Sequence, residues 1–120
     1  SDQLVMSIPP RQIGYLLDIF ESIQAIRDYV VDQTFQQFSN DLKTQDAVLR
    51  RLLVIGEAST RLTPETRALL PLIPFQEIVS LRNRVVHDYG HLDLDVSWGT
   101  IQDDLPLLRE QLQPFVSKQP

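Results

Sequence analysis

An all-α bundle is the fold class this 120-residue sequence predicts, and three observations predict it. Apolar residues recur at spacings of three and four, no segment alternates with period two over a useful length, and proline and glycine fall where helices start and stop. The pattern implies four main helices and one short one, with short connections and antiparallel neighbours. At 120 residues the chain has the size of a single domain, residues 1–120, with no repeat, low-complexity tract or long linker.

The elements follow in order. Pro9 and Pro10 mark a helix start, because proline is tolerated in a first turn. Ile13, Leu16, Leu17, Phe20, Ile23 and Val30 then form an apolar stripe, and this long first helix is expected to end near Asp32. Residues 34–40 are polar without a clean period, and Phe35 and Phe38 are expected to pin them to the core. A second helix is expected from about Asp41 to Leu62, with Val48, Leu49, Leu52, Ile55 and Leu62 inward. Gly56 inside it costs on the order of 1 kcal/mol against alanine, which points to close approach of another helix. Thr63-Pro64-Glu65 reads as a cap and first turn for a short helix over Pro64 to Leu70. A fourth helix is expected from Pro74, burying Ile78, Leu81, Val85 and, as a further candidate, Val86, and ending near Tyr89-Gly90, since glycine is a common stop. His91 to Val96 reads as an acidic loop, and Ser97 as the cap of a last helix with Trp98, Ile101, Leu105, Leu108, Leu112 and Phe115 inward. Pro106 predicts a kink there, or one helix ending and another beginning. Residues 1–8 are expected to be a flexible segment, and Met6 is a candidate native start, with Ser1 to Val5 an added tail.

Composition narrows the class. The chain is 42% apolar and 22% charged, ordinary for a globular protein, and no apolar run reaches the roughly 18 residues that cross a bilayer. It has no cysteine, which excludes disulfides and thiolate metal sites, and cytoplasm is the default expectation. The net charge of −5 is unevenly spread. From Arg50 to Gly90 six arginines face four acids, 6 − 4 = +2, while the rest carries 5 − 12 = −7. Nine of the eleven basic residues are arginine, whose planar guanidinium grips phosphate in a fixed fork.

The stretch Arg82-Asn83-Arg84-Val85-Val86-His87-Asp88-Tyr89-Gly90 is the most informative. It places an invariably cationic group, a proton shuttle near neutral pH and a phenol close together, a set suited to phosphodiester chemistry. Arg82, Asn83, His87 and Tyr89 resemble the signature of the HEPN superfamily: an arginine, an adjacent polar residue, and a histidine four to six intervening residues later. The tyrosine two after the histidine resembles the HepT branch, RNase toxins paired with a minimal nucleotidyltransferase antitoxin. Ile55-Gly56-Glu57-Ala58, the Ile73-Pro74 lead-in and the Trp98 to Leu105 helix before Pro106 extend the resemblance over most of the chain.

The resemblance implies metal-independent cleavage of RNA by attack of a ribose 2′-hydroxyl on the neighbouring phosphate, in a type VII-like toxin–antitoxin system. His87 would serve as general base or acid and Arg82 would hold the phosphate and stabilise the transition state. Asn83 would bond the phosphate or orient His87, and Arg84 is either an RNA contact or an exposed interfacial arginine. Tyr89 would receive AMP units from the antitoxin, silencing the toxin by bulk and negative charge. On a continuous helix five residues rotate by roughly 140°, so Arg82 and His87 would not share a face. A frayed last turn or a two-fold homodimer would bring them together, and the resemblance implies the dimer, with the cleft at its interface.

Competing readings attach to the same residues. A non-catalytic HEPN module would dock a nucleotidyltransferase and hold nucleotide or RNA without cutting it, and a purely structural helical dimer would bury and ion-pair the motif. His87 and His91 have the four-residue spacing that grips a metal on a helix, but Gly90 intervenes and no metal or other cofactor is expected. Glu57 reads as an ion-pair partner for an arginine, and the Trp98 stripe as core.

Overall fold

The computed structural model describes residues 7–86 and 90–116, and for Arg82 the backbone only. The described residues form an all-α bundle around one apolar core, as the spacing predicts. Helix α1 (Pro10–Val30) begins with proline in its first turn and runs through the middle of the fold, packed on one side by α3 (Leu42–Thr60) and on the other by α8 (Leu105–Val116). Leu16, Ile19, Ile23 and Ile26 on α1 are wholly buried, as are Val48, Leu52 and Ile55 on α3. Their three- and four-residue spacings put each set on one helical stripe, so two long amphipathic helices close on each other. Gln12 fixes the register. Its Nε2 donates to the Arg61 carbonyl at 3.2 Å and its Oε1 accepts from the Thr63 N–H at 2.8 Å. The start of α1 therefore lies beside the end of α3, an antiparallel pair.

The polar stretch after α1 holds a short helix, α2 (Phe35–Ser39), which periodicity missed. Thr34 and Gln37 form a reciprocal capping box, and Phe38 is completely buried against Trp98, ring centroids 5.2 Å apart. Phe35 meets the same indole edge-on but stays 38% exposed, so only Phe38 pins the segment into the core. Asp41 caps α3, accepting from the Thr44 N–H at 3.1 Å, the Thr44 hydroxyl at 2.6 Å and Gln33 Nε2 at 2.8 Å. The Thr44 bonds, then the one from Gln33, hold its carboxyl below the ordinary aspartate value. Helix α4 (Pro64–Ala68) has the expected Thr63 cap, with Thr66 N–H donating to it at 3.2 Å.

Four expectations are corrected. The flexible segment does not extend to Ile8, which is 2% exposed in the core; residues 1–6 lie outside the described residues. The single fourth helix is two, α5 (Phe75–Val79) and α6 (Leu81–Val85), divided at Ser80. There the Ser80 hydroxyl donates to the Glu77 carbonyl at 3.0 Å and its N–H to Gln76, side-chain competition of the kind serine brings to a helix. The acidic loop before Ser97 is largely helix, α7 (Leu94–Gly99), because Asp93 rather than Ser97 is the cap, accepting from the Val96 N–H at 3.1 Å. Finally, a Cβ at Gly56 would meet no described atom within 4 Å, so among the described residues no helix makes the close approach expected there.

Pro106 does divide the last helix. A π turn over Thr100–Asp104 joins α7 to α8, with the Leu105 N–H reaching back to the Thr100 carbonyl. Proline has no N–H to give the Gln102 carbonyl its usual partner, and the wider turn lies where that bond would be missing.

Candidate functional site

The motif lies on the part of the fold built from short pieces. Leu81 and Val85, four residues apart, are both buried and fasten α6 to α3, and the face between them carries Asn83 and Arg84 outward into solvent. Arg82 belongs to the same helix by its backbone. His87 and Tyr89, and the side chain of Arg82, lie outside the described residues, so the structure brings Asn83 and Arg84 to one exposed face and says nothing of the other three.

The helix carrying the motif ends earlier than expected. The Val85 carbonyl accepts from the Asp93 N–H at 2.6 Å, and Val86 forms an isolated antiparallel bridge with Leu92. The chain leaving α6 is therefore clasped to the chain entering α7. Gly90 within this return has φ of 78°, a left-handed conformation that glycine adopts without the usual steric penalty. The 140° mismatch computed for one continuous helix thus does not apply past Val85. Among the described residues no group of three metal-ligating side chains comes together.

The arginines divide between structure and solvent. Arg67 donates to the Ser59 carbonyl at 2.7 Å and lies over the Phe75 ring, centroid 5.8 Å away. Arg61 pairs with Glu57 at 2.9 Å, both largely exposed; the Glu57 carboxylate, with a smaller contribution from the Tyr15 phenol, raises the already high pKa of that guanidinium. Glu57 is thus an ion-pair partner, as its place in the sequence suggested. Arg109 bonds Gln24 Oε1 at 2.7 Å and covers Phe20. Arg84 makes only a long contact, 3.5 Å, to the Glu77 carbonyl, which leaves its guanidinium exposed on the motif face. Of the basic excess around the motif, Arg61 and Arg67 serve the scaffold, and Arg84 remains available to an anion.

Sequence reasoning passed over two features here. Gln12, 6% exposed, clamps the α1–α3 register, and only its place on the inward face of α1 could have signalled it. A groove between α1 and α3, with Tyr15, Asp18 and Arg50 on its walls, was also missed. The helical register places those residues on single faces, but no pattern in one sequence says which faces lie side by side.

A family model described as "Ribonuclease HepT-like" matches residues 19–115. A protein of Thermococcus cleftensis named "Probable ribonuclease HepT" is 37% identical over 99 residues, covering 82% of this chain and 90% of the relative. A Methanocaldococcus jannaschii protein named "Putative RNase" is 31% identical over 100 residues, 83% of this chain and 92% of its own length. One of the same name from Caldanaerobacter subterraneus is 29% identical over 105 residues, covering 88% and 94%. No solved structure matches.

Proposed function

We propose that this chain, which belongs to the HepT-like ribonuclease family, is an endoribonuclease that cuts RNA with Arg82 and His87. The observation that carries the reading is the exposed face of α6: Asn83 and Arg84 stand in solvent on the helix that contains Arg82, and His87 follows that helix in the sequence by two residues. The names of the relatives support RNA as the substrate.

In the proposed reaction a ribose 2′-oxygen attacks the adjacent phosphorus and its proton passes to the His87 imidazole. The 5′-oxygen leaves with a proton returned by an imidazolium, giving a cyclic phosphate and a free hydroxyl. Arg82 holds the non-bridging oxygens, whose charge grows in the transition state, and Asn83 donates a further hydrogen bond or orients His87. Arg84 contacts the RNA backbone. No metal or other cofactor takes part. The site is composite: two copies form a homodimer, and the motif segments of both line one cleft.

Regulation is the second half of the proposal. A minimal nucleotidyltransferase antitoxin transfers AMP from ATP to the Tyr89 hydroxyl, the phenolic oxygen displacing pyrophosphate from the α-phosphorus and losing its proton, and each phosphodiester places bulk and negative charge where RNA must place its own phosphates. The reading as a non-catalytic HEPN module is disfavoured because a docking surface needs neither Arg82 nor His87. No described helix is long and apolar enough to cross a membrane, and we place the enzyme in the cytoplasm.

The test is cleavage of single-stranded RNA by the purified chain with and without EDTA, and before and after incubation with ATP and the cognate nucleotidyltransferase. Cleavage that persists in EDTA and falls as Tyr89 gains the mass of AMP less water is expected. Abolition by EDTA overturns the mechanism, and addition at another residue overturns the switch.

A further inference from the structure

We propose that the groove between α1 and α3 is the face on which a second copy of this chain docks, with Asp18 of each copy meeting Arg50 of the other. This rests on the composite-site reading above and names the surface that would assemble it.

The groove encloses about 540 Å³. Its floor includes Leu53, Val54 and Gly56 of α3 and Val79 of α5, with the three large side chains only partly buried. Gly56 is the first indication. A mid-helix glycine costs about 1 kcal/mol against alanine; Gly56 is itself buried, yet a Cβ there would meet no described atom within 4 Å, so no described contact requires the glycine. Gly14 of α1 is likewise open, and it precedes Asp18 by four residues on the same helical face. Both helices bordering the groove thus omit side chains where the monomer has room for them. A helix arriving from outside would need that room.

The charges identify the arriving surface. Asp18 and Glu57 balance Arg50 and Arg61, so the groove is neutral, which disfavours an RNA strand as occupant. Glu57 and Arg61 already satisfy each other. Asp18 and Arg50 are exposed, and neither has a hydrogen-bond or ion-pair partner among the described residues. A two-fold interface is self-complementary: residue i meets j, and j meets i. One unsatisfied acid and one unsatisfied base on a single neutral groove fit that requirement. Val79 also lines the groove and Leu81 opens α6, which packs on α3, so docking here draws the two motif segments toward one another.

The test is a charge swap on the full chain, read by sedimentation equilibrium across a concentration series and by RNA cleavage. The wild type should be a dimer. Asp18→Arg and Arg50→Asp should each weaken dimerisation by at least about tenfold, since like charges then face each other twice. The double variant, with the pair exchanged, should restore it. Gly56→Leu should weaken it sterically while the melting temperature of the monomer holds or rises. Cleavage should follow the dimer. Single variants that dimerise as the wild type does would overturn this face while leaving a dimer elsewhere. A loss of RNA binding in Arg50→Asp with the dimer intact would make the groove an RNA track and overturn the proposal. A wild-type monomer would overturn both the face and the composite site. Restoration of the dimer in the double variant, with no RNase activity in any form, would uphold the interface and remove the catalytic reading alone.

Discussion

The long helices and the segment between them hold their shape by different means. Helices α1 and α3 run 21 and 19 residues and bury continuous apolar stripes against each other. Helices α4, α5 and α6 have five residues each, far below the roughly 12–15 at which a helix begins to stand alone in water. They persist by docking one or two side chains each into the core, Thr66, Phe75, Ile78, Leu81 and Val85, and through local devices: the Thr63 cap, the Val85–Asp93 bond and the Val86–Leu92 bridge. The motif sits on this second kind of structure, carried by the first. On the proposed assignment, chemistry that must admit and release a polymer sits on short elements docked to the core rather than on the long helices that form it.

The contrast can be broken from the core side. Ile55→Ala empties a wholly buried position between α3 and its neighbours. It should cost about 2–5 kcal/mol, measured by denaturant unfolding. A loss below about 1 kcal/mol would mean that the α1–α3 seam is not what holds the fold.

From the motif side, Gly90→Ala separates conformation from packing. A Cβ there meets no described atom within 4 Å, so the penalty is the left-handed backbone alone, about 1–2 kcal/mol. RNA cleavage should fall by more than the small drop in melting temperature explains, because Gly90 follows His87 by three residues in the proposed catalytic motif. Activity that declines only in proportion to folded fraction would place the return outside the catalytic machinery.

The smallest effect concerns the cap of α3 and is visible only through pH. The Asp41 carboxyl is held below its ordinary value by its hydrogen bonds to Thr44 and Gln33. A lowered folded-state pKa gives stability that is fully present above the unfolded value, near 4, and is lost as pH falls through the folded one. Asp41→Ala should therefore melt lower than the wild type at neutral pH, and the gap should narrow below about pH 4. A gap constant across that range would assign the effect to the helix cap geometry and not to the charge.

How much of this was legible in the sequence follows the same division. The stripes of α1, α3 and α8 are periodic over many residues, and burial obeyed them. The short elements were misread wherever two residues competed for one role. Asp93 and Ser97 are both good caps, and Asp93 took the position while Ser97 turned inward and donated to the Leu94 carbonyl. Thr34 and Gln37 spell a capping box, yet Phe35 and Phe38 are too few to announce a helical period. Ser80 is not a helix breaker by type, and its break depends on a side-chain bond that sequence does not reveal. For the site, sequence located the motif and the exposed side of α6. That Asp18 and Arg50, 32 residues apart in the chain, line one groove required the packing of α1 on α3 to be known.

The measurement closest to the central claim is RNA cleavage by His87→Ala and Arg82→Ala, each followed beside its own thermal unfolding. Loss of a general acid or base, or of the group holding the phosphate, should reduce the rate by about 10²–10⁴-fold while the melt coincides with that of the wild type. Either variant cutting RNA at the wild-type rate, fully folded, would contradict the assignment of the chemistry to this segment.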